Sequence, residues 1–334
     1  MAYTNIKASA PGSMMLFGEH AVLADFKAIA MAINQRIQVS ISTRADNVIH
    51  INSDKFHGYI TDLDNLEAVE PYQFVLQTLQ FYQENLSVGL DINISSQMSP
   101  TMGFGTSAAV TVACVAALEY LLFQRHDKHL IFLNSRDIIQ ATQGRGSGTD
   151  ALASTIGGVV SYVMSPLDYS VYEVNLPISL IYCGYKTPTT EVIKVVDDLY
   201  QRDPEKVMEI FRAMDRICGE VEKVLPSPAL RAPSPASGRG NHSPSLPFTG
   251  EGLGERVLPH LGVLMTQHHQ YQKQLSVSDD TIEKIITDCQ KHPIHGAKIS
   301  GSGLGDCVAV LGDVKPLNPI QVRTDLQGVT IDTN

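Results

Sequence analysis

The alternation of hydrophobic and polar residues predicts most of the strands in this chain. Residues 37–51 alternate on either side of positions 45–47, which is the pattern of two strands joined by a turn. Five further stretches alternate or are wholly apolar, so we also predict strands there: 90–95, 157–164, 171–182 with a bend at Pro177, 307–311 and 327–332. Strand-forming segments therefore recur along the chain.

Apolar residues at helical spacing predict the helices between these strands. The segment 108–123 is apolar, rich in alanine and longer than an ordinary strand, so we expect a buried helix there. Asp203 followed by Pro204 is the N-cap and first-turn pair of a helix that runs to 225. The other segments with helical spacing or a helix start are 72–84, 135–143, 150–156, 189–200, 261–275 and 279–289.

One segment has neither pattern. Residues 226–259 contain seven of the 17 prolines and five glycines. Such a composition cannot bury a core, so we expect a solvated, poorly ordered loop. Helical spacing precedes the segment and resumes after it, so we predict an insertion between two helices of one domain.

Composition narrows the class of protein. The 334 residues, 43% of them hydrophobic, suit two lobes of an ordinary globular protein. The formal net charge of −10 argues against binding to nucleic acid, which needs a basic face. The sequence has no run of 18 apolar residues and no apolar signal core, so we expect no membrane span and a cytoplasmic location. Five scattered cysteines lack metal-ligand spacing, which favours reduced thiols.

The first candidate for chemistry is the glycine-rich segment PTMGFGTSAA at 100–109, between a predicted strand and the buried helix. Gly103 and Gly105 allow the backbone to approach a ligand closely, and Thr106 and Ser107 supply hydroxyls. The start of the following helix favours an anion such as the phosphate chain of a nucleotide, and the Ser107 oxygen suits Mg²⁺. The Walker A pattern is absent, and taken alone the segment is equally explained as a structural turn.

Three other segments carry ionisable or glycine-rich patterns. Gly18-Glu19-His20 places two ionisable side chains at a turn, where they can hold polar groups of a small substrate. Asp150 follows the glycines of GRGSGTD and opens a helix, so it can orient or deprotonate a hydroxyl. The turn KISGSGLGD at 298–306 can close over a ligand. Taken singly, these segments are also explained as a surface turn, a helix cap and a hairpin turn.

Together and in this order, the four segments resemble the GHMP kinases over nearly the whole chain. PTMGFGTSAA is similar to the family motif PxxxGLGSSAA, APGSMMLFGEHAVL at 10–23 to its first motif, and KISGSGLGD to its third. GEHAVL is similar to mevalonate kinases within the superfamily. So is LGVLMTQHHQYQKQLSVS at 261–278, which resembles LGxLMxxNHxLLxxLGVS.

The resemblance implies a fold and a reaction. The fold would be a two-lobed α+β GHMP kinase fold, with a ribosomal S5-like N-terminal lobe at 1–175 that binds ATP. A ferredoxin-like C-terminal lobe would cover 176–334 and carry the low-complexity insert 226–259. The reaction would be transfer of the γ-phosphoryl group of ATP, with Mg²⁺, to the primary hydroxyl of mevalonate in isoprenoid biosynthesis. The partner would be this small-molecule substrate, and a homodimer is compatible with the resemblance.

The resemblance also implies roles for individual residues. Asp150 matches the catalytic aspartate and Ser107 the Mg²⁺-binding serine. The positions implied for nucleotide binding are Pro100, Met102, Gly103, Phe104, Gly105, Thr106, Ser107 and Ala108. The positions implied on the substrate side are Glu19, His20, Thr190, Gly301 and Ser302.

Two departures from the family pattern concern charge. Ser13 stands where the family has the lysine of its APGK motif, and three lysines are candidates to replace it: Lys7, Lys27 and Lys186. The family's Mg²⁺-binding glutamate falls at Ile139, so Gln140 or Gln143 are candidate helpers, or the metal relies on Ser107, phosphates and water.

Alternative functions follow from the same residues. GRGSGTD and GSGLGDC are closer to phosphomevalonate kinase, whose pattern Gln143 and Asp306 fit, and Arg145 is the candidate to hold a second phosphate. A decarboxylase acting on diphosphomevalonate is disfavoured by the clear GEH motif. A non-catalytic ligand-binding protein of the same fold is supported by Ser13 and Ile139 and disfavoured by Asp150.

Overall fold

Two β-sheets take up the alternating stretches of the chain, and helices cover them. The computed structural model describes residues 5–99, 102–231 and 257–333. The strands in these ranges are β1 Asn5–Phe17, β2 Ala28–Thr43, β3 Val48–Ser53, β4 Tyr59–Asp62, β5 Leu90–Ser96, β6 Val159–Val163, β7 Asp168–Tyr172, β8 Ile178–Lys186, β9 Leu230–Arg231, β10 Ile294–Ser300, β11 Gly305–Gly312, β12 Ile320–Val322 and β13 Thr330–Thr333. The helices are α1 Gln73–Phe81, α2 Thr106–Phe123, α3 Lys128–Gln143, α4 Thr149–Ile156, α5 Thr189–Arg202, α6 Pro204–Val224, α7 Val257–Gln274 and α8 Asp280–Cys289.

The larger sheet is organised around β2, a strand of 16 residues. β1 runs antiparallel along one edge of β2, and β5 and β6 share the opposite edge. The path of the sheet is β4-β3-β5-β2-β6-β7-β9, and β13 pairs with β1. Both strands predicted in 37–51 are present, but β3 pairs in parallel with β5 instead of with β2. The turn between them therefore does not close a hairpin, because β5 lies between the two strands.

The buried helix predicted at 108–123 is confirmed as α2, which begins two residues earlier. It packs against β1, β2 and the helices α1, α3 and α4. Its length of 18 residues and mean hydropathy of 1.7 would also suit a membrane span. Its buried alanines, among them Ala109 and Ala113, instead bring its backbone close to the sheet, as in the core helix of a globular lobe.

The smaller sheet has the antiparallel order β10-β11-β8-β12. α7 lies directly on β10, and glycines make this approach possible. A Cβ at Gly262 would lie 2.3 Å from the carbonyl oxygen of His295, and one at Gly296 would lie 2.0 Å from the carbonyl oxygen of Gly262. The N-cap prediction at Asp203 is also confirmed, since its side chain accepts a hydrogen bond from the Lys206 N–H.

Three element predictions need correction. The stretch 171–182 is not one bent strand, because Pro177 separates β7 of the larger sheet from β8 of the smaller sheet. The helix predicted at 135–143 begins seven residues earlier, at Lys128, where Asp127 caps it. β1 was missed because its small residues and Pro11 hide the alternation of a strand.

The structure tests the predicted insert only in part and does not test the predicted boundary between the lobes. Most of the insert, 232–256, lies outside the described residues. Of its described ends, 226–229 have no helix or strand, as predicted, whereas 230–231 pair with β7 as β9 and 257–259 begin α7. The division at 175 and 176 stays a prediction. The chain does pass between the sheets there, but β9 and β13 return to the larger sheet.

Candidate active site

The four segments singled out in the sequence meet between the two sheets. Ser13 on β1 links two of them: its N–H donates to the carbonyl oxygen of Phe104 at 2.9 Å, and its Oγ donates to Asp150 Oδ1 at 2.8 Å. Asp306 brings in a third segment, because its Oδ1 accepts from the Gly103 N–H at 2.7 Å. The fourth segment, at the end of β1, reaches the turn after β10 through His20.

The glycine-rich loop is packed tightly against protein groups on both sides. A Cβ at Gly103 would lie 1.7 Å from Asp306 Oδ2, and one at Gly105 would lie 2.1 Å from Ser13 Oγ. Gly105 also has a φ of +62°, a conformation that favours glycine. The sequence left a ligand-binding loop and a structural turn as equal explanations of these glycines, and contacts within the protein already require them. Pro100 lies outside the described residues, and Phe104 is buried as part of the core.

The loop leads into an uncapped helix start. Gly105 is the N-cap of α2 and has no side chain to accept from the first turn, and no hydrogen bond to a side-chain cap is present there among the described residues. The first-turn N–H groups, those of Thr106, Ser107 and Ala108, have no acceptor within the helix. Together with the helix dipole, they form a site suited to an anion.

A cavity of about 300 Å³ opens beside this helix start. Thr106 and Ser107 line one side of it. Most of the remaining lining is apolar, with Phe56, Tyr72, Phe74, Ile94, Met98 and Val110 among it, and Lys55 and Glu70 are the charged residues that also line the cavity. A small cavity lined by aromatic side chains suits a flat ring, and it lies next to the anion site.

Asp150 lies in the first turn of α4, after the glycines of the preceding loop. Gly148 is the N-cap of this helix with a φ of +85°, and the Oγ of the preceding Ser147 accepts a hydrogen bond from the Thr149 N–H at 3.2 Å. Burial raises the pKa of the Asp150 carboxyl above its usual range. The hydrogen bond from Ser13 and the charge of Lys186 oppose this rise, and the charge of Asp306 adds to it. A half-buried carboxylate with a raised pKa is the type of group that accepts a proton from a substrate.

Lys186 is the one of the three candidate lysines that lies in this cluster. Its Nζ is 3.3 Å from Asp306 Oδ2, and its charge acts on Asp150. Lys27 instead forms an ion pair with Glu222, and Lys7 lies on β1 at the edge paired with β13. Sequence alone could not choose among the three, because the choice depends on how β8 lies against β11.

Glu19 lies in a second cluster that is fully buried. One of its carboxylate oxygens pairs with Lys298 Nζ on β10, and the other has no hydrogen-bond partner among the described residues. That second oxygen is 3.6 Å from His268 Nε2, which accepts a hydrogen bond from the Gly18 N–H at 2.9 Å. Burial raises the pKa of Glu19 although Lys298 opposes the rise, and burial lowers the pKa of His268 well below its usual range.

Sequence reasoning missed Lys298 and His268 as members of this cluster. Both lie inside stretches that carry the family resemblance, but each is a polar residue within an apolar pattern. The signal in the sequence was a polar residue in an otherwise apolar stretch, since a charge buried there needs a partner. The structure places the Glu19 carboxylate against Lys298, and its role toward a substrate stays a prediction.

The remaining predicted substrate residues divide into two groups. His20 is brought to the turn after β10, where its Nε2 donates to the carbonyl oxygen of Ser302 at 2.7 Å. Burial lowers the pKa of His20. Gly301 belongs to the same turn, with a φ of +87°. Thr190 is exposed in the first turn of α5, and its role stays a prediction.

The residues proposed for a second phosphate or for metal lie around the loop before α4. Arg145 is exposed and pairs with Asp197 of α5 at 2.5 Å. Gln140 donates to the carbonyl oxygen of Gly146 at 2.9 Å, and Ile139 is buried in the core. Within the described ranges, no three His, Cys, Asp or Glu side chains converge as a metal site.

Comparison with known proteins agrees with this arrangement. The Archaeoglobus fulgidus mevalonate kinase is 29% identical over 328 residues, covering 97% of this chain and 99% of its own. The Pyrococcus furiosus mevalonate kinase is 28% identical over 322 residues, covering 92% and 89%. The crystal structure of the Methanococcus jannaschii mevalonate kinase has a TM-score of 0.72 and 22% identity, covering 98% and 96%. The predicted two-lobed α+β fold is therefore confirmed.

Family models match both halves of the chain. Residues 73–158 match the model described as GHMP kinases N terminal domain, and residues 251–318 match GHMP kinases C terminal. Residues 3–43 match a galactokinase galactose-binding signature. The first match contains the glycine-rich loop and Asp150, and the second contains Asp306. The chain therefore belongs to the GHMP kinases, a family of ATP-dependent kinases.

Proposed function

We propose that this protein transfers the γ-phosphoryl group of ATP to the primary hydroxyl of mevalonate. The observation that carries the proposal is the double role of Ser13, which bonds the glycine-rich loop at Phe104 and the carboxylate of Asp150. A proton acceptor is thus held next to a site for phosphate. Curated relatives of nearly the same length carry the name mevalonate kinase, which supports this acceptor.

The site for the nucleotide follows from the uncapped start of α2. The N–H groups of Thr106, Ser107 and Ala108 would bind phosphate oxygens, and the adjacent cavity would hold the base. Ser107 would hold Mg²⁺ together with phosphate oxygens and water, since no three His, Cys, Asp or Glu side chains converge as a metal site among the described residues. When bound, Mg²⁺ supplies positive charge that neutralises the phosphate chain.

The acceptor would lie in the cleft between the α2 start and the turn after β10. Asp150 orients the acceptor hydroxyl and takes its proton as the phosphoryl group arrives. His20, held by the Ser302 carbonyl, is placed to contact polar groups of the substrate. The buried pair with Lys298 fixes Glu19, the residue directly before His20.

Phosphomevalonate is the second candidate acceptor. Arg145 was the residue expected to hold its phosphate, and in the structure it pairs with Asp197 of α5. Asp306, the other residue that favoured this reading, is occupied by Gly103 and Lys186. Both observations favour mevalonate.

The test is a comparison of acceptors. Purified protein with Mg·ATP is given mevalonate, phosphomevalonate or diphosphomevalonate at matched concentrations, and ADP release and the phosphorylated product are both measured. We expect rapid ADP release with mevalonate and formation of one phosphomonoester. A higher kcat/KM with phosphomevalonate would replace the proposal with the second candidate. Equal ADP release without any acceptor would contradict both.

A further inference from the structure

Lys186 is positioned by the pairing of β8 with β11. It lies opposite Gly305, and the register of the two strands shifts between Gly305 and Cys307. At this shift Asp306 has a φ of +64°, which is uncommon for a residue other than glycine. The irregularity turns the Asp306 carboxylate toward both the Lys186 ammonium and the Gly103 N–H. An end of the smaller sheet is thereby tied to the phosphate-binding loop of the larger one.

The negative charges around Asp150 favour a cation that can change partners when a nucleotide binds. Asp150 and Asp306 are two carboxylates whose charges act on each other, and a nucleotide would add several more negative charges at the adjacent loop. The Lys186 side chain is 36% exposed, whereas that of Asp306 is only 9% exposed. Lysine carries its charge on a flexible stem, so the ammonium can leave one oxygen for another without movement of the backbone.

The other cations around the site differ from Lys186 in the carboxylates they pair with. Lys298 is fully buried against Glu19, Lys27 is paired with Glu222, and Arg145 is paired with Asp197. Lys55, which lines the cavity beside the α2 start, is paired with Asp54 at 3.8 Å. Among these described residues, Lys186 alone has a carboxylate partner that also contacts the phosphate-binding loop.

We propose that Lys186 is a catalytic residue, whose ammonium rests on Asp306 without nucleotide and binds phosphoryl oxygens during transfer. The proposal rests on the proposed function of the site. In the step, the acceptor O–H bond breaks and its proton passes to Asp150, while a bond forms between the acceptor oxygen and the γ-phosphorus. The bond from that phosphorus to the bridging oxygen of ADP breaks, and ADP keeps the electron pair. Lys186 stabilises the negative charge on the transferring group.

The test uses the full chain with Lys186→Met, Lys186→Arg and Asp306→Asn, and Lys194→Met as the matched control. Lys194 is exposed on α5, so its loss removes one positive charge from the surface and should leave activity unchanged. We expect Lys186→Met to lower kcat by roughly 10²- to 10³-fold with little change in the KM for the acceptor. Lys186→Arg should recover part of the rate, because it keeps the charge.

The pH profile separates a catalytic from a structural role. The groups that face Asp150 are Ser13, Lys186 and Asp306. Lys186 lowers and Asp306 raises the pKa of Asp150, so the acid limb of kcat/KM should move to higher pH in Lys186→Met and to lower pH in Asp306→Asn. A loss of packing alone would not move the limb in opposite directions.

Measuring ATP binding tests the role of Lys186 separately from the identity of the acceptor. If the unmodified protein phosphorylates none of the acceptors tested, the proposed function fails. Calorimetric ATP affinity then decides about Lys186, with at least a 10-fold loss expected in Lys186→Met. If the unmodified protein is active and folded Lys186→Met keeps kcat within about 3-fold, Lys186 is not catalytic. If the unmodified protein is inactive and Lys186→Met binds ATP as tightly as it does, the proposal for Lys186 is overturned as well.

Discussion

Two lysine–carboxylate pairs lie where the two sheets of this kinase meet, and they differ mainly in burial. Lys298 of β10 pairs with Glu19 at the end of β1, with side chains 0% and 2% exposed. Lys186 of β8 pairs with Asp306 of β11, with side chains 36% and 9% exposed. The first pair lies under the cleft, and the second lies beside the phosphate-binding loop and Asp150.

Burial decides what each pair can do. Charges removed from water depend on each other, so Lys298 and Glu19 hold one arrangement and position the loop that carries His20. The Lys186 ammonium keeps contact with solvent and can exchange its partner for a phosphate at little cost. The same two functional groups therefore serve a structural purpose in one place and a chemical purpose in the other.

The largest effect expected is on activity, from Asp150→Asn. Because the amide cannot accept the acceptor proton, kcat should fall by roughly 10²- to 10⁴-fold. Steady-state ADP release measures this loss, and Asp137→Asn on the exposed side of α3 is the control. A rate close to that of the unmodified protein would remove Asp150 from the mechanism.

Asp150→Asn should not destabilise the protein. In this respect the solvent-accessible cluster of Asp150, Lys186 and Asp306 differs from the buried pair of Glu19 and Lys298. The folded-state pKa of Asp150 is raised, so its contribution to stability is present below the unfolded pKa and is lost as pH rises through the folded pKa. At pH 8 Asp150→Asn removes a disfavoured charge and should raise Tm by about 1 to 3 °C. The difference should shrink as the pH falls toward 4, as followed by thermal unfolding at several pH values.

Lys298→Met should cause the largest loss of stability. It leaves Glu19 buried without its cation, and breaking a buried pair costs about 3 to 5 kcal/mol of the free energy of unfolding. Adding Glu19→Gln in the same chain should recover part of this loss, because the orphan charge is gone. Lys223→Met, which removes an exposed pair with Glu220, is the control and should cost less than about 1 kcal/mol. A Lys298→Met effect no larger than the control would contradict the distinction between the two pairs.

Gly103→Ala should disturb the cluster of Asp150, Lys186 and Asp306 and leave the buried pair of Glu19 and Lys298 unchanged. The added Cβ would overlap Asp306 Oδ2, so the carboxylate must leave the loop and Lys186 must follow. We expect the KM for ATP to rise by roughly 10-fold, consistent with loss of one or two hydrogen bonds at the loop. Gly219→Ala in α6 is the control, since a Cβ there meets nothing within 4 Å and alanine favours the helix. An unchanged KM in Gly103→Ala would show that the loop binds ATP without Asp306.

The smallest effect is expected from Arg145→Ala. Its pair with Asp197 is exposed, so the free energy of unfolding should change by less than about 1 kcal/mol. The KM for mevalonate should change little, which kinetics with both acceptors would measure. A large loss confined to phosphomevalonate would show that Arg145 binds a phosphate after all.

Local features were predictable from the sequence. The buried helix α2, the cap at Asp203 and the glycine-rich loop depend on neighbouring residues, so pattern and composition suffice to predict them. The order of the motifs also indicated a GHMP kinase. The partner of each strand was harder to predict. β3 is an example, since the strand it pairs with, β5, lies some 40 residues later in the chain.

By itself, then, the sequence determined most of the elements, the family and the position of the candidate base Asp150. Only the tertiary structure decided which charges meet. Lys298 and Glu19 are 279 positions apart, and Gly103 and Asp306 are 203 apart. Such contacts depend on how two sheets pack and on a register shift in β11, neither of which a local pattern records. The choice of Lys186 over Lys7 and Lys27 belongs to this second class, because burial and distance, and not residue type, distinguish the three.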